Sequence, residues 1–278
     1  MIDSLIVLII TSITCSLLGV FLILRNLSML TDAISHTVLL GIVLAYFLVK
    51  DLDSPLLIIG ASLMGLLTVY LVESIGKKGL SKYDDAIGMV FPILFALAVI
   101  LISKFFRNVH LDTDVVLMGE VLFSSLVTTN IFGHQIPTSI LYGLVILLLT
   151  LIFIICNYQK LKISTFDKDF AYLIGIPTSF LFYSLMSLTS ISAVVSFNSV
   201  GAILVISFFI GPGASSLEIC KSLKASLIVS SLIATINSII GFYLAIYLNV
   251  SIAGFIAFIN MFTYLAIIIA KKYTKYTS

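Results

Sequence analysis

Asp32 and His36 are the two side chains best placed to do chemistry together. They stand four residues apart in Asp32-Ala33-Ile34-Ser35-His36, so on a helix they share one face, one turn apart. A carboxylate and an imidazole so placed offer an oxygen and a nitrogen to a single divalent cation. The stretch lies between two strongly apolar runs, 5–24 and 37–49. An ionisable residue near membrane depth is costly, and its default reading is functional. A plainer reading stands beside it: Asp32 caps the helix that follows, a common use of Asp, and His36 is simply packed. Spacing alone does not choose between them.

The elements that must position this pair are membrane helices. Of 278 residues, 60% are hydrophobic and 10% charged, and mean hydropathy is +1.23. A soluble domain carries about 25% charged residues. The chain is therefore an all-α, polytopic membrane protein, read as a single transmembrane domain over 1–278. Its net charge of +2 sits in short loops, with no basic tract suited to tracking nucleic-acid phosphates. Cys15, Cys156 and Cys220 lie far apart within or at the ends of apolar runs and form neither a CxxC pair nor a disulfide framework. There is no GxxxxGK[ST] loop, so nucleotide hydrolysis of that kind is not expected of this chain. The first apolar run follows Met1–Ser4 directly and reads as a mature span rather than a cleaved leader.

Nine spans are expected, at about 4–24, 33–49, 55–73, 86–103, 138–156, 178–196, 200–219, 225–248 and 252–270. The second is short and begins at the Asp/His stretch. The seventh contains Gly211-Pro212-Gly213, which should break or kink a helix. On one side of the membrane fall Arg25, Lys77, Lys78, Lys82, Lys160, Lys162, Lys168, Lys221, Lys224, Lys271, Lys272 and Lys275. The other side has only Lys50, Lys104 and Arg107. Twelve against three makes the rich side cytoplasmic, with the N-terminus outside and the C-terminus inside.

Three loops are more than turns. The stretch 73–85 reads as a solvated cytoplasmic loop. The outer stretch 104–137 holds His110, Asp112 and Asp114, which could bind a cation or do nothing, and Glu120. Its segment 117–123 reads as a helix at the surface or dipping in. His134 has less to recommend it. The cytoplasmic stretch 157–177 contains a short amphipathic helix. Ser164 or Thr165 can cap it, Asp167 and Asp169 suit its positive end, and Gly175 ends it before Pro177. Phe166, Phe170 and Leu173 fall at i, i+4 and i+7, one apolar stripe suited to docking on a partner or to lying on lipid. Glu218 is expected to pair with Lys221 or Lys224, and Asn237 and Asn260 to hydrogen-bond between helices.

The run Leu24-Arg25-Asn26-Leu27-Ser28-Met29-Leu30-Thr31-Asp32-Ala33-Ile34-Ser35-His36-Thr37-Val38-Leu39-Leu40-Gly41 resembles the LRxxSLxxDAISHxVLxG signature of one family. That family is the membrane permeases of ATP-binding-cassette importers for manganese, zinc and iron. Met29 stands for the second leucine. Asp85-Ala86-Ile87-Gly88-Met89-Val90-Phe91, Val109-His110-Leu111-Asp112, Ser164-Thr165-Phe166-Asp167 and Val200-Gly201-Ala202-Ile203-Leu204, running into Gly211-Pro212, follow in the family's order. Leu40 replaces the proline of the VLPG form, and Pro92 a small polar residue; neither touches the candidate ligands.

The resemblance implies a type II importer permease fold and a dimer with a second copy or a sister permease. It implies two cytoplasmic ATPases and an extracellular or periplasmic metal-binding protein as partners. Manganese, zinc or iron would be the transported substrate, with no resident cofactor and no enzyme activity in the chain itself. It casts Asp32 and His36 as metal ligands in the pathway, and the 165–175 helix, from Thr165 to Gly175, as the coupling helix received by the ATPase. The rival class is an ATP-independent carrier or channel for a cation or small solute, with the Asp/His pair as a proton or ion relay.

Overall fold

A backbone in lipid must satisfy its own hydrogen bonds, so long apolar runs fold as helices. The computed structural model describes residues 1–51, 54–77, 83–105, 121, 128–131 and 134–277. Nine helices among them are long and apolar enough to cross a membrane. They are α1 (Ile2–Leu24), α2 (Met29–Val49), α3 (Leu56–Lys77), α4 (Tyr83–Phe105), α5 (Thr138–Phe166), α7 (Thr178–Val200), α8 (Ala202–Ile219), α9 (Leu223–Leu248) and α10 (Ile252–Thr277). A short helix, α6 (Lys168–Leu173), lies between α5 and α7. The expected nine spans are all present, and the differences are at their ends.

The second span starts at Met29 rather than 33. Polar residues do not delay it, because their hydroxyls fold back on the helix. Thr31, Ser35 and Thr37 donate to the carbonyls of Ser28 (2.8 Å), Asp32 (2.6 Å) and Ile34 (3.3 Å). The expected loop at 73–85 narrows, since α3 continues to Lys77 and α4 begins at Tyr83. Glu73 is buried there and hydrogen-bonded by Tyr183 of α7. Much of the expected loop at 157–177 is also helical, because α5 runs 29 residues to Phe166. At 1.5 Å per residue that is about 43 Å, longer than the ~30 Å hydrocarbon core, so one end stands in water.

Of the break or kink expected at Gly211-Pro212-Gly213, the break does not occur: α8 runs from Ala202 to Ile219 with Pro212 inside it. Helices on both sides hold this stretch, Gly213 lying against Val20 and Ile23 of α1 and Gly211 against Asn260 of α10. Between α4 and α5, β1 (Thr128–Ile131) and β2 (His134–Pro137) form an antiparallel hairpin with Thr128 opposite Pro137. It was not expected from the sequence. His110, Asp112, Asp114 and Glu120, and all of 117–123 except Val121, lie outside the described residues.

The bundle is built round α1, which packs against α5, α7, α8 and α9. Of its most apolar window 78% is buried, against 17% for α5 and α10, which present their apolar faces outward. Phe21 of α1, Phe208 and Phe209 of α8 and Phe242 of α9 fill the centre. Beside this core, α2 packs on α3 and α4, and α7 joins the two groups. The helices approach where side chains are missing. A Cβ at Gly19 would collide with the Phe209 carbonyl, and one at Gly41 with the backbone of Gly60 and Ala61 on α3. Hydroxyls and amides then tie the helices. Thr68 bonds Thr37 (2.8 Å), Asn237 bonds Asn260 (2.9 Å) and Asn260 bonds Ser207 (2.9 Å), as expected for the two asparagines.

Gly41→Leu should force α2 and α3 apart and cost at least about 1–3 kcal/mol. Gly88→Leu, with nothing within 4 Å of its added Cβ, should be neutral. Thermal unfolding of the two variants in one detergent checks the contrast; equal melting would refute the crossing.

Candidate metal pair and docking helix

The turn before α2 sets where the pair sits. The end of α1 closes in a Schellman motif, with Asn26 left-handed at φ 57°. The Leu27 N–H donates to Leu22 O (2.8 Å) and the Asn26 N–H to Ile23 O (3.0 Å). Leu27 is buried, which pins the turn. Only residues 25–28 separate the two helices, and Ser28 occupies the N-cap position of α2. Asp32 is therefore inside the helix and is not its cap. It lies about 5 Å, and His36 about 10 Å, along the axis from the helix start.

The structure brings the two expected ligands together. His36 Nε2 is 3.5 Å from Asp32 Oδ1, with side-chain exposures of 33% and 39%. The imidazole lies on two rings of α4, stacked on Phe91 (5.6 Å, 28°) and edge-on to Phe95 (5.5 Å, 72°). Ligand atoms about 2.0–2.2 Å from one ion subtend a near-tetrahedral angle when they are 3.5 Å apart, so the pair can chelate with little movement. No group of three or more His, Cys, Asp or Glu that could hold a metal is found among the described residues. Among the described residues, then, a cation at this pair would find two protein ligands, and the rest of its shell would come from elsewhere.

The docking helix is at the same end of the bundle. Asp167, not Ser164 or Thr165, caps it: its Oδ1 accepts the Phe170 N–H at 2.8 Å. Ser164 and Thr165 belong to the last turn of α5, where their hydroxyls are engaged by Arg25. A second Schellman motif ends α6, with Gly175 at φ 79° and the Ile176 N–H on Ala171 O (3.0 Å). Phe166, Phe170 and Leu173 are 63%, 51% and 80% exposed, but the single-helix stripe expected from their spacing is not found: Phe166 ends α5, and the extended Asp167 separates it from Phe170 and Leu173 on α6.

Two features escaped the sequence reading. Phe91 and Phe95 stand at i and i+4 on α4, a spacing that would have marked a shared face. Arg25 counted there only toward topology. Here its Nη2 donates to Ser164 Oγ (3.1 Å) and its Nε to Thr165 Oγ1 (3.2 Å), linking the start of the α1–α2 turn to the helix that leads into α6. The expected partners of Glu218 are also corrected. It pairs with Lys271 of α10 at 2.7 Å, because α8 and α10 end side by side.

The model of the ABC 3 transport family matches residues 1–271. The chain belongs to that family. Among its relatives is the manganese transport system membrane protein MntD of Bacillus subtilis, 42% identical over 90% of this chain and 84% of the relative. The zinc transport system membrane protein TroD of Treponema pallidum is 41% identical over 90% of this chain and 68% of the relative. Among solved structures, PsaBC from Streptococcus pneumoniae in complex with Fab has a TM-score of 0.78 at 29% identity, over 95% of this chain and 89% of that one. This ABC 3 protein is thus a multi-pass transport-system permease, with the Asp32–His36 pair near one end of α2 and the short helix α6 at that same end.

A partly exposed ion pair stabilises by about 0–1 kcal/mol. The double variant Asp32→Asn, His36→Gln should therefore remain monodisperse and melt within a few degrees of the parent protein. Loss of folding would show that the pair serves the architecture.

Proposed function

We propose that this chain is the membrane permease of an ATP-binding-cassette importer that moves a divalent transition metal into the cell, with Asp32 and His36 as its ligands. One observation carries the reading: a carboxylate and an imidazole within 3.5 Å on α2, in a chain whose family match runs over 1–271. Manganese is favoured, since manganese is named for several relatives, while zinc and chelated iron are named for others. All three ions accept mixed carboxylate and imidazole ligands.

A pathway site must release what it binds, and two ligands per chain suit that better than a closed cage. The shell is completed by water, backbone carbonyls or the matching pair of a second permease, a copy or a sister chain. A metal-binding protein outside the cell delivers the ion. ATP is hydrolysed by separate cytoplasmic subunits, and the end of α5 and α6 dock on them through Phe166, Phe170 and Leu173. The charge bias places α6 and the metal pair on the cytoplasmic side, the N-terminus outside and the C-terminus inside.

Asp32→Ala and His36→Ala should each abolish metal accumulation while the ATPase subunits still co-purify; normal manganese and zinc uptake in both would remove the ligand assignment. Phe170→Asp should leave the permease folded and lose the ATPase, read by co-purification. A stable, active complex carrying that change would remove the docking role.

A further inference from the structure

A cavity of about 260 Å³ opens at the end of the bundle that carries α6. Arg25 and Asn26 of the α1–α2 turn, Tyr83 of α4, Ser164 and Thr165 of α5, and Lys168 of α6 are among its walls. Arg25 is half-buried, and burial lowers its pKa to about 10, which leaves it charged at neutral pH. Its hydrogen-bond partners here are two neutral hydroxyls. No carboxylate among the described residues forms an ion pair with Arg25 or Lys168. Of the two acids beside Lys168 in the chain, Asp167 accepts the Phe170 N–H as the cap of α6, and Asp169 is exposed.

A guanidinium withdrawn from water without a counter-charge costs free energy, and such groups are ordinarily paired. A guanidinium also retains several donors after two hydrogen bonds, in a fork that fits a carboxylate. The pocket therefore lacks one component, an anion. The body that lies over this end, on the reading proposed above, is the ATPase docked on α6.

We propose that the pocket between Arg25 and Lys168 receives an acidic side chain of the ATPase subunit. Its carboxylate bridges the two cations, and so grips the turn that leads within seven residues to Asp32. The inference rests on the docking role of α6 and adds a charged contact to the apolar one.

The test is the affinity of the ATPase subunit for the permease in nanodiscs, measured from low to high salt, for the parent protein, Arg25→Gln, Lys168→Gln and a control, Lys272→Gln. Each pocket variant should bind about tenfold more weakly at low salt and show a flatter salt dependence, with the control unchanged. Lys168 is exposed, so its variant carries the test even if Arg25→Gln fails to fold. One Asp or Glu neutralised on the ATPase should reproduce the loss and be non-additive with it. Pocket variants that match the parent at every salt concentration overturn the proposal and leave the docking reading standing. Binding lost equally when phosphatidylglycerol is omitted from the discs assigns the pocket to lipid phosphate and also overturns it. A parent protein that binds no ATPase subunit overturns the docking reading itself.

Discussion

The four residues between α1 and α2 constrain both working parts of this permease. Asn26 takes a left-handed conformation and Leu27 is driven into the core, so α1 ends and α2 begins with almost no slack. That geometry fixes the depth of Asp32 and His36, which are one and two turns into α2. It also fixes the direction of Arg25, whose guanidinium reaches the last turn of α5. A longer, looser turn would satisfy the same helices but would leave the metal pair and the docking helix mechanically independent. A tight one makes a displacement of the α5–α6 junction a displacement of the α2 start, because two hydrogen bonds and one buried leucine stand between them.

The rest of the bundle is arranged to keep that turn stationary relative to the core. Gly19 lets α8 come into backbone contact with α1 some six residues before the turn, and Gly41 lets α3 do the same with α2 on its far side. In lipid there is no hydrophobic force to hold helices together, so close packing and side-chain hydrogen bonds carry the load. The Thr37–Thr68 bond and the Asn237–Asn260–Ser207 chain are of that kind. They are neutral and saturated, which distinguishes them from Asp32 and His36, whose pairing at 3.5 Å is loose and half-open.

The nine spans were legible because hydropathy reports directly on the cost of exposing a side chain to lipid. Helix ends were not, since they depend on whether polar residues find local partners. Thr31 and Ser35 do, and α2 starts early. Glu73 finds Tyr183, and α3 ends late. Pro212 reads as a break in one dimension, yet α1 and α10 hold the helix on either side of it. The approach of Asp32 and His36 was legible from a spacing of four, whereas the stripe at 166, 170 and 173 was not, because the extended Asp167 breaks the helix between the first residue and the other two. The aromatic walls from α4 and the Arg25 contacts join residues that are 55 to 140 positions apart, and no local pattern encodes such pairs.

The aromatic setting of His36 has a consequence for how the proposed site handles its ion. Phe91 and Phe95 offer the imidazole no hydrogen-bond partner, so on the α4 side the ring is held by shape, and its polar neighbour is Asp32 at 3.5 Å. In a permanent metal site the second ring nitrogen is ordinarily anchored by such a partner, which stiffens the ligand and strengthens it. A ring held by stacking and one loose contact with Asp32 keeps its position yet can swing by small angles at low cost, and the 3.5 Å gap opens or closes with it. Both proposed ligands stand on α2, so that gap is set within one helix, and α4 supplies the wall that limits the swing. A pair held this loosely suits the proposed role of binding an ion and then releasing it.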